Sequence, residues 1–332
     1  MTRWADVRAA ADYLSSGDYL KSVLPYISGS WYFVDGDDGS DSNRTGKEPD
    51  RPLATLNSAY AKCISGRGDG IAIISRSVAA GSKSVSLDTA ITWAKYGITV
   101  FGVNAGNGYF GRSRIVSDST ADLASMITVS GQNNRFMNLH LNNEGDANTC
   151  LRCVIVTGNR NRFDNCHLIG GSHATPGAVA NCSSLDLRSS ECVFNGCYFG
   201  TNSTTHTPAT GVSAPITFST TQQGQNFFND CTVLSKSASN SAGGINLQGA
   251  TVMNGWTVFK NCIFMNFSPT GGGVTSLTKV VVGDGQTDTG VLLHQCSEVG
   301  WAAWSTLASK VYVGCSAETA AGAGGIATAP AA

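Results

Sequence analysis

The chain has 332 residues, of which 42% are hydrophobic and only 14% are charged, and its formal net charge is −1. This composition can build a core and argues against a disordered chain, which combines low hydrophobicity with high net charge. A protein that binds nucleic acid by neutralising phosphates is normally basic, so we expect no nucleic-acid partner. The sequence has no run of about 18 apolar residues, so we expect no membrane insertion.

The first 30 residues contain two amphipathic runs, which predict a short helical piece. Apolar residues recur at helical spacing from Trp4 to Leu14 and again from Leu20 to Leu24. We interpret residues 1–30 as an N-terminal helical anchor that docks the protein onto a larger assembly; the alternative is a cap on the fold. Charges stand where the apolar centre of a signal peptide would be, so no secretory signal is expected.

Residues 31–74 combine an opening strand, a turn and a short helix. Gly39–Asn43 is rich in turn-forming residues, and Thr55 or Ser58 can begin a helix that continues to Lys62. Gly68–Ile71 then leads into the next strand. We expect the helix to cover the open end of a parallel strand stack, because the end coil of such a stack exposes unpaired backbone.

The body of the chain carries an internal repeat marked by cysteine. An apolar residue, two further residues and Cys occur together six times, and another copy has Leu at the Cys position. The copies are Phe136–Leu139, Phe163–Cys166, Phe194–Cys197, Phe228–Cys231, Phe259–Cys262, Leu293–Cys296 and Tyr312–Cys315. A second short apolar pair precedes most copies, at Ile127–Val129, Val154–Val156, Leu185–Leu187, Ile216–Phe218, Ile245–Leu247 and Val280–Val282.

Each repeat predicts two or three short strands joined by turns of Gly, Asn and Ser. The irregular repeat length favours a β-helix over helical repeats, and the small number of strands argues against a propeller. Stacked coils would place the Phe positions in one ladder and the Cys positions in a second column of buried, reduced thiols. This explains an odd number of cysteines, 11, without disulfides, and a single C-x₂-C at Cys150 and Cys153 supports a zinc site only weakly.

The opening segment and the repeats together resemble the pectate-lyase-like right-handed parallel β-helix family, of the bacteriophage tailspike and virion spike kind. The resemblance covers roughly residues 31–317 and implies an all-β fold, a right-handed parallel β-helix, followed by an Ala/Gly-rich tail at 318–332. It implies no particular activity, because lyases, hydrolases, epimerases and phage tailspikes share this fold.

Carboxylates are few in the repeat body, and their densest group is the candidate catalytic site: Glu144, Asp146 and Asp164 with His140 and His167. Cleavage of a polysaccharide uses carboxylates in one groove, and here a carboxylate would act as acid or base with a histidine as helper. Each histidine directly follows a ladder position, which predicts outward imidazoles on adjacent coils. The alternative interpretation is a polar outward ladder without a catalytic role.

Four arginines of the body are spread along the sequence, and we interpret them as surface charges: Arg152, Arg160, Arg162 and Arg188. The base chemistry of a pectate lyase needs an Arg–Lys pair, which is not recognisable here. The acidic loop Asp35–Asp41 is similar to a calcium loop in charge only, and Asx turns are enough to explain it. We therefore expect no bound metal.

Three tryptophans are candidates for stacking on sugar rings: Trp256, Trp301 and Trp304. At least one of Trp301 and Trp304 is expected in the core. No nucleophile-elbow, P-loop or dinucleotide-binding motif is present, so we expect no cofactor.

A surface this poor in charge favours association, and three stacks side by side would bury much of it. A phage protein is made in the host cytoplasm, where thiols stay reduced. We therefore predict a bacteriophage virion structural protein, a homotrimeric spike or decoration protein located on the virion. Its partners would be other virion proteins, bound through the N-terminal segment, and host or environmental polysaccharide. The alternative is a tailspike-type polysaccharide lyase or glycoside hydrolase that degrades host surface polysaccharide.

Overall fold

The computed structural model describes the greater part of residues 24–314. The described ranges are 24–74, 85–104, 113–208, 211–219, 224–237, 242–248, 255–267, 279–283, 290–301, 303–305 and 311–314. Of the predicted N-terminal helical piece, residues 1–23 lie outside these ranges, and residues 24–30 contain no helix. The Ala/Gly-rich tail and Cys315 also lie outside the described residues.

The described residues form short strands and two short helices, α1 (Leu56–Lys62) and α2 (Ala174–Gly177). In chain order the strands are β1 (Trp31–Asp35), β2 (Gly70–Ile74), β3 (Val85–Leu87), β4 (Ile91–Trp93), β5 (Thr99–Gly102), β6 (Ser113–Ser117), β7 (Ser125–Val129), β8 (Arg135–Met137), β9 (Leu139–Asn142), β10 (Arg152–Val156), β11 (Arg162–Asp164), β12 (His167–Ile169), β13 (Ser183–Leu187), β14 (Val193–Asn195), β15 (Tyr198–Gly200), β16 (Ile216–Phe218), β17 (Asn226–Asn229), β18 (Thr232–Ser235), β19 (Ile245–Leu247), β20 (Trp256–Lys260), β21 (Ile263–Asn266), β22 (Lys279–Gly283), β23 (Gly290–His294), β24 (Ser297–Val299), β25 (Ala303–Ser305) and β26 (Val311–Gly314).

These strands make three parallel sheets, and each full coil contributes one strand to each sheet. The first sheet runs β1-β2-β5-β8-β11-β14-β17-β20-β23-β26. The second runs β4-β7-β10-β13-β16-β19-β22-β25, and the third runs β3-β6-β9-β12-β15-β18-β21-β24. The prediction of a right-handed parallel β-helix is confirmed. No helix in the described ranges is long and apolar enough to cross a membrane.

The core is built from ladders of equivalent side chains, as the repeat predicts. On the first sheet the buried Phe136, Phe163, Phe194, Phe228 and Phe259 are strand partners in successive coils. Their rings are stacked, with centroids 4.3 to 5.0 Å apart. Offset stacking adds about 0.5–1.5 kcal/mol per pair to the gain from burying apolar area. The aromatic ladder therefore holds the coils in register as well as filling the core.

A column of buried thiols lies beside this aromatic ladder, and its burial confirms the prediction. The column consists of Cys166, Cys197, Cys231, Cys262 and Cys296, and the described cysteines are all free. Each sulfur lies close to a phenylalanine carbonyl of the preceding coil, as Cys197 Sγ does at 3.4 Å from Phe163 O. Burial raises the pKa of the Cys166 thiol well above its ordinary value, so this group stays protonated and unreactive.

A turn of one or two residues joins the first sheet to the third at six places in the described part of the chain, and its first residue is the turn residue. The turn residue has a positive φ of 52° to 58° in every case: Asn138, Asn165, Gly196, Asp230, Asn261 and Gln295. Asn and Gly tolerate this left-handed conformation best. The Asn165 amide also donates to Asn138 Oδ1 at 2.8 Å, which links one turn to the next.

Two predicted ladder positions are wrong by one residue. Val281 pairs with the core residue Ile245, so Val282 of the predicted pair Val280–Val282 faces outward. At the last strand, Val313 pairs with the core residue Leu293, and Tyr312 faces outward. A slip of one residue exchanges the two faces of a strand. The uninterrupted apolar runs at both places conceal the alternation that would have fixed the register.

Helix α1 lies against the first coil, as expected of a cap. Thr55 is the N-cap, and its hydroxyl accepts the Ser58 N–H at 3.2 Å. Leu56 and Ala59 are buried in the core, and the Tyr60 ring packs on Trp93 with centroids 4.3 Å apart. The helix thereby covers apolar surface at the start of the stack.

Candidate functional site

The two predicted histidines lie on adjacent strands of the third sheet. His140 and His167 are direct strand partners, and their ring centroids are 4.9 Å apart. Tyr198 follows in the next coil, 5.8 Å from the His167 ring. His140, His167 and Tyr198 therefore form a column on adjacent strands, and His140 lies on the side of the sheet opposite to the core residues Leu139 and Leu141. His140 is only 2% exposed, however, and His167 Nε2 lies 2.9 Å from Gly200 O.

Glu144 lies just beyond the strand that carries His140. Its Oε1 accepts the Asn142 amide at 2.7 Å and lies 3.3 Å from Arg114 Nη2. Arg114 is the strand partner of His140, so an ion pair borders the histidine column. Asp146, two residues further along, is exposed.

Asp164 lies on a different face, the outer side of the first sheet. Arg135 Nε and Arg162 Nε are each 2.8 Å from its carboxylate, and the Asn195 amide donates to Oδ1 at 2.8 Å. Burial alone would raise the pKa of Asp164, but these hydrogen bonds outweigh burial and leave the pKa below its ordinary value. Asp164 is therefore held as an ionised carboxylate, which does not suit a general acid.

The predicted group of five therefore occupies two faces of the molecule. The left-handed turn at Asn165 separates Asp164, on the first sheet, from His167 on the third. Glu144 stays with the histidine column, and its polar partners are not those of Asp164. Sequence proximity grouped these residues, whereas the sharp change of direction at each turn divides them.

The structure brings together a polar cluster on the outer face of the second sheet that the sequence did not reveal. Arg152 Nε lies 2.8 Å from Asp186 Oδ2, and Arg188 Nη2 donates to the same oxygen at 2.6 Å. The Ser219 hydroxyl donates to Asp186 Oδ1 at 2.6 Å. We call Arg152, Asp186, Arg188 and Ser219 the arginine cluster. The sequence signal that existed was Asp186 between Leu185 and Leu187, which marks an outward position.

The four arginines are not scattered, because each pairs with a carboxylate, although Arg160 and Arg162 are exposed surface charges as interpreted from the sequence. Arg152 and Arg188 converge on Asp186, Arg162 pairs with Asp164, and Arg160 pairs with Glu191. Arg162 and Arg188 are each two residues from their carboxylate in the sequence. The partners in the other two pairs, Arg152–Asp186 and Arg160–Glu191, are about one coil apart and become neighbours only once the coils stack. Ion pairs of this kind are invisible to a search for local motifs.

The arginine cluster carries more positive than negative charge. Asp186 is fully buried, while the Arg152 and Arg188 side chains remain 19% and 29% exposed. Two guanidinium groups face one carboxylate, and a guanidinium has five N–H donors. Donors that Asp186 does not use can bind a further anionic group such as a carboxylate. The chemistry of the cluster is therefore anion binding at a partly exposed outer face.

A serine–histidine pair, in which Ser213 is buried and His206 is partly buried, is not arranged for catalysis. His206 Nδ1 is 3.0 Å from Ser213 Oγ, beside a cavity of about 10 Å³ that has room for about one water. Burial lowers the pKa of His206 to about 4. The Ser213 hydroxyl donates to Cys182 O at 3.0 Å, so His206 does not take up its proton.

No metal site emerges from the parts of the chain that the structure describes, where no group of three or more His, Cys, Asp or Glu could hold an ion. In the acidic loop, Asp35 Oδ1 accepts the N–H groups of Asp37 and Asp38 at 2.9 and 3.3 Å. This is the Asx turn expected from the sequence.

No family model and no curated protein matches this sequence. Solved structures do match the fold. The pectate lyase Pel9A superposes with a TM-score of 0.54 at 16% identity, over 84% of this chain and 70% of that chain. A pectin methylesterase from Aspergillus niger, in a penultimately deglycosylated form, superposes with a TM-score of 0.53 at 14% identity, over 87% and 85%. At identities this low, the superpositions show only that the parallel β-helix fold is shared.

Proposed function

We propose that this protein acts on polysaccharide, as a lyase or glycoside hydrolase that degrades an acidic surface polysaccharide. The observation that carries the proposal is the arginine cluster, where two partly exposed guanidinium groups are fixed by the buried Asp186 on an outer sheet face. The fold supports it, since a pectate lyase and a pectin methylesterase share this fold. This support is by analogy, because one fold hosts many functions.

Arg152 and Arg188 would bind the carboxylate of a uronic acid residue. Asp186, itself held by the Ser219 hydroxyl, keeps both guanidinium groups in place before the ligand arrives, which lowers the cost of ordering them. In a lyase reaction a base removes the proton next to that carboxylate, and negative charge grows on the carboxylate oxygens. The bond to the glycosidic oxygen then breaks as a carbon–carbon double bond forms, and that oxygen leaves with a proton as the hydroxyl group of the released chain. Fixed guanidinium donors stabilise this charge in the transition state more than in the ground state.

The second candidate is a virion structural protein, a homotrimeric spike or decoration protein that binds glycans without cleaving them. One observation favours it: Glu144, Asp164 and Asp186 are each paired with arginine. Arginine partners keep a carboxylate ionised, whereas a glycosidase needs one protonated carboxyl group as general acid. In this role residues 1–30 would attach the spike to other virion proteins.

An assay of product release separates the two candidates. The purified full-length chain is incubated with polygalacturonate, alginate and bacterial capsular polysaccharide. New reducing ends together with ultraviolet absorbance from an unsaturated uronide indicate a lyase, and reducing ends alone indicate a hydrolase. Binding without product release would overturn the enzymatic proposal and support the spike.

Two arginine variants locate the activity. We expect Arg188→Gln to lower the rate on acidic polysaccharide by roughly a hundredfold, because one fixed donor to the developing charge is lost. The matched control is Arg160→Gln, which removes an exposed ion pair with Glu191 and leaves the arginine cluster intact. Equal rates in the two variants would exclude the arginine cluster as the site.

A further inference from the structure

The outer face of the first sheet carries an exposed apolar column that the proposed site does not use. Its members are strand partners in successive coils: Val193, Phe227, Val258, Leu292 and Tyr312. Trp256 lies on the same strand and the same side as Val258. Phe227, Trp256 and Tyr312 are 43%, 48% and 49% exposed, respectively. We call these six residues the aromatic stripe. Monomeric soluble proteins rarely expose a continuous row of large apolar side chains, and such a row usually marks a binding surface.

The Trp256 indole lies flat across the next strand because the residue beneath the indole in that strand is a glycine, which has no side chain. Trp256 and Gly290 are strand partners, and a Cβ on Gly290 would lie 2.5 Å from Trp256 Cε3. Tyr312, one strand further, meets the indole at 65° with ring centroids 5.0 Å apart. One indole face therefore rests on backbone, and the exposed fraction belongs to the other side. Of the three tryptophans considered for sugar stacking, Trp301 and Trp304 are buried in the core, and Trp256 alone is exposed.

Polar donors border the stripe on the edge opposite to the indole. Lys260 and His294 are strand partners, both are exposed, and both face the same side as Trp256 and Leu292. An aromatic face with hydrogen-bond donors on the other edge of the same column suits a carbohydrate chain, because sugar rings have apolar C–H groups on their faces and hydroxyl groups around their edges. The stripe runs across the strands as a single column with Trp256 at its edge, so it matches a linear chain. A stable interface with another protein buries about 800 Å² on each partner, which argues against a protein as the ligand of so narrow a stripe.

We propose that the aromatic stripe is a polysaccharide-binding surface in which Trp256 stacks on a sugar ring and Tyr312 and Phe227 contact neighbouring rings. It lies on a different sheet from the arginine cluster. The proposal rests on the proposed function only for its ligand class, because a polysaccharide can bind here whether or not the chain cleaves it. Gly290 is a positioning residue, since a side chain there would push the indole off the sheet.

The test is affinity electrophoresis of the full chain in gels that contain polygalacturonate, alginate, dextran or bacterial capsular polysaccharide. We expect at least one of these to retard the wild-type chain, and we expect Trp256→Ala to weaken that binding roughly three- to tenfold. Gly290→Ala should weaken binding similarly, because it keeps the indole but displaces it. The backbone at Gly290 is outside the left-handed region, so alanine is tolerated there.

A matched control exists at the other end of the same sheet. Trp31 lies over Gly70 in the same way, with 2.5 Å between its Cε3 and a Cβ on that glycine, but Trp31 is only partly exposed. Trp31→Ala should leave retardation unchanged. Unchanged retardation of Trp256→Ala, or no retardation of the wild-type chain in any gel, would overturn the proposal. The proposal would also be overturned if light scattering gave a smaller mass for Trp256→Ala than for the wild-type chain while retardation stayed unchanged. In that case the stripe would join copies of the chain.

Failure of this proposal can be told from failure of the proposed enzyme. Product release that persists at the wild-type rate in Trp256→Ala with normal retardation excludes the stripe and leaves the arginine cluster intact. Retardation that depends on Trp256 without any product release excludes the enzyme and leaves the stripe.

Discussion

At the residue scale, the end of the stack contains a carboxyl group in an apolar position. Glu298 pairs with Phe264, whose own partners form an inward column of the third sheet, and it is only 3% exposed. Its Oε2 is buried and makes no hydrogen bond to any described residue. Burial raises the pKa of Glu298 from 4.5 to about 7. Such a group is stable in the core only when protonated.

This position predicts that the protein loses stability as the pH rises. The folded state binds the Glu298 proton more tightly than the unfolded state, so its contribution is complete below the unfolded pKa of 4.5 and is lost as the pH rises to about 7. At about 1.4 kcal/mol for each pKa unit, the loss is about 3 kcal/mol at most. Glu298→Gln should remove most of it. Urea midpoints at about pH 5 and about pH 8 measure the change.

The control for this experiment is Glu191→Gln. Glu191 is on the surface and pairs with the exposed Arg160, so its substitution should leave the pH dependence as in the wild type. A Glu298→Gln variant with the wild-type pH slope would show that the carboxyl group is not the cause.

The short turn between the first and third sheets determines how one coil stacks on the next. The Asn138 and Asn165 turns have φ near 55°, and Gly196 takes the same conformation in the next coil. The turn residue is left-handed because the chain changes direction within one or two residues between two strands. Glycine adopts this conformation freely and Asn and Asp tolerate it, whereas other residues pay a steric penalty there.

Two substitutions at Asn165 separate its two roles. Asn165→Gly keeps the left-handed backbone and loses only the amide bond to Asn138. Asn165→Ala loses that bond and adds the steric cost of a Cβ at positive φ, so it should be less stable than the glycine variant by about 1 kcal/mol. Denaturant midpoints of the two variants provide the comparison. Equal midpoints would mean that the turn relaxes to another conformation.

At the scale of the whole molecule, three long sheet faces carry different chemistry. The second sheet presents the arginine cluster, the first presents the aromatic stripe, and the third presents the histidine column. With only 14% charged residues, the lateral surface has few charges to oppose contact with a second copy. Closed cyclic symmetry would let each copy present one face inward.

Homotrimer formation stays a prediction that follows from this surface. Light scattering of the purified chain at micromolar concentration should give three times the chain mass of 34.5 kDa. An interface along every coil would be large, so the mass should not fall on dilution. A monomer mass at this concentration would contradict the prediction.

The sequence alone determined the fold and the orientation of most ladder residues. The Phe and Cys columns and the pairing of His140 with His167 follow from local patterns. The start of the helix follows as well, since the sequence offered Thr55 or Ser58 and Thr55 is the N-cap. Alternation with a period of two residues is a property of each strand by itself, and capping involves neighbours in the chain. These features could be recognised without knowing which coils are adjacent.

Only the tertiary structure decided which charges meet. Asp186 is held by arginines from its own turn and from the preceding coil, and Trp256 lies flat because Gly290 is its partner in the next coil. Loops of different lengths separate such partners in the sequence, so spacing does not predict their pairing. At Val282 and Tyr312 even the face was undetermined, because apolar runs permit either register until the neighbouring strand selects one.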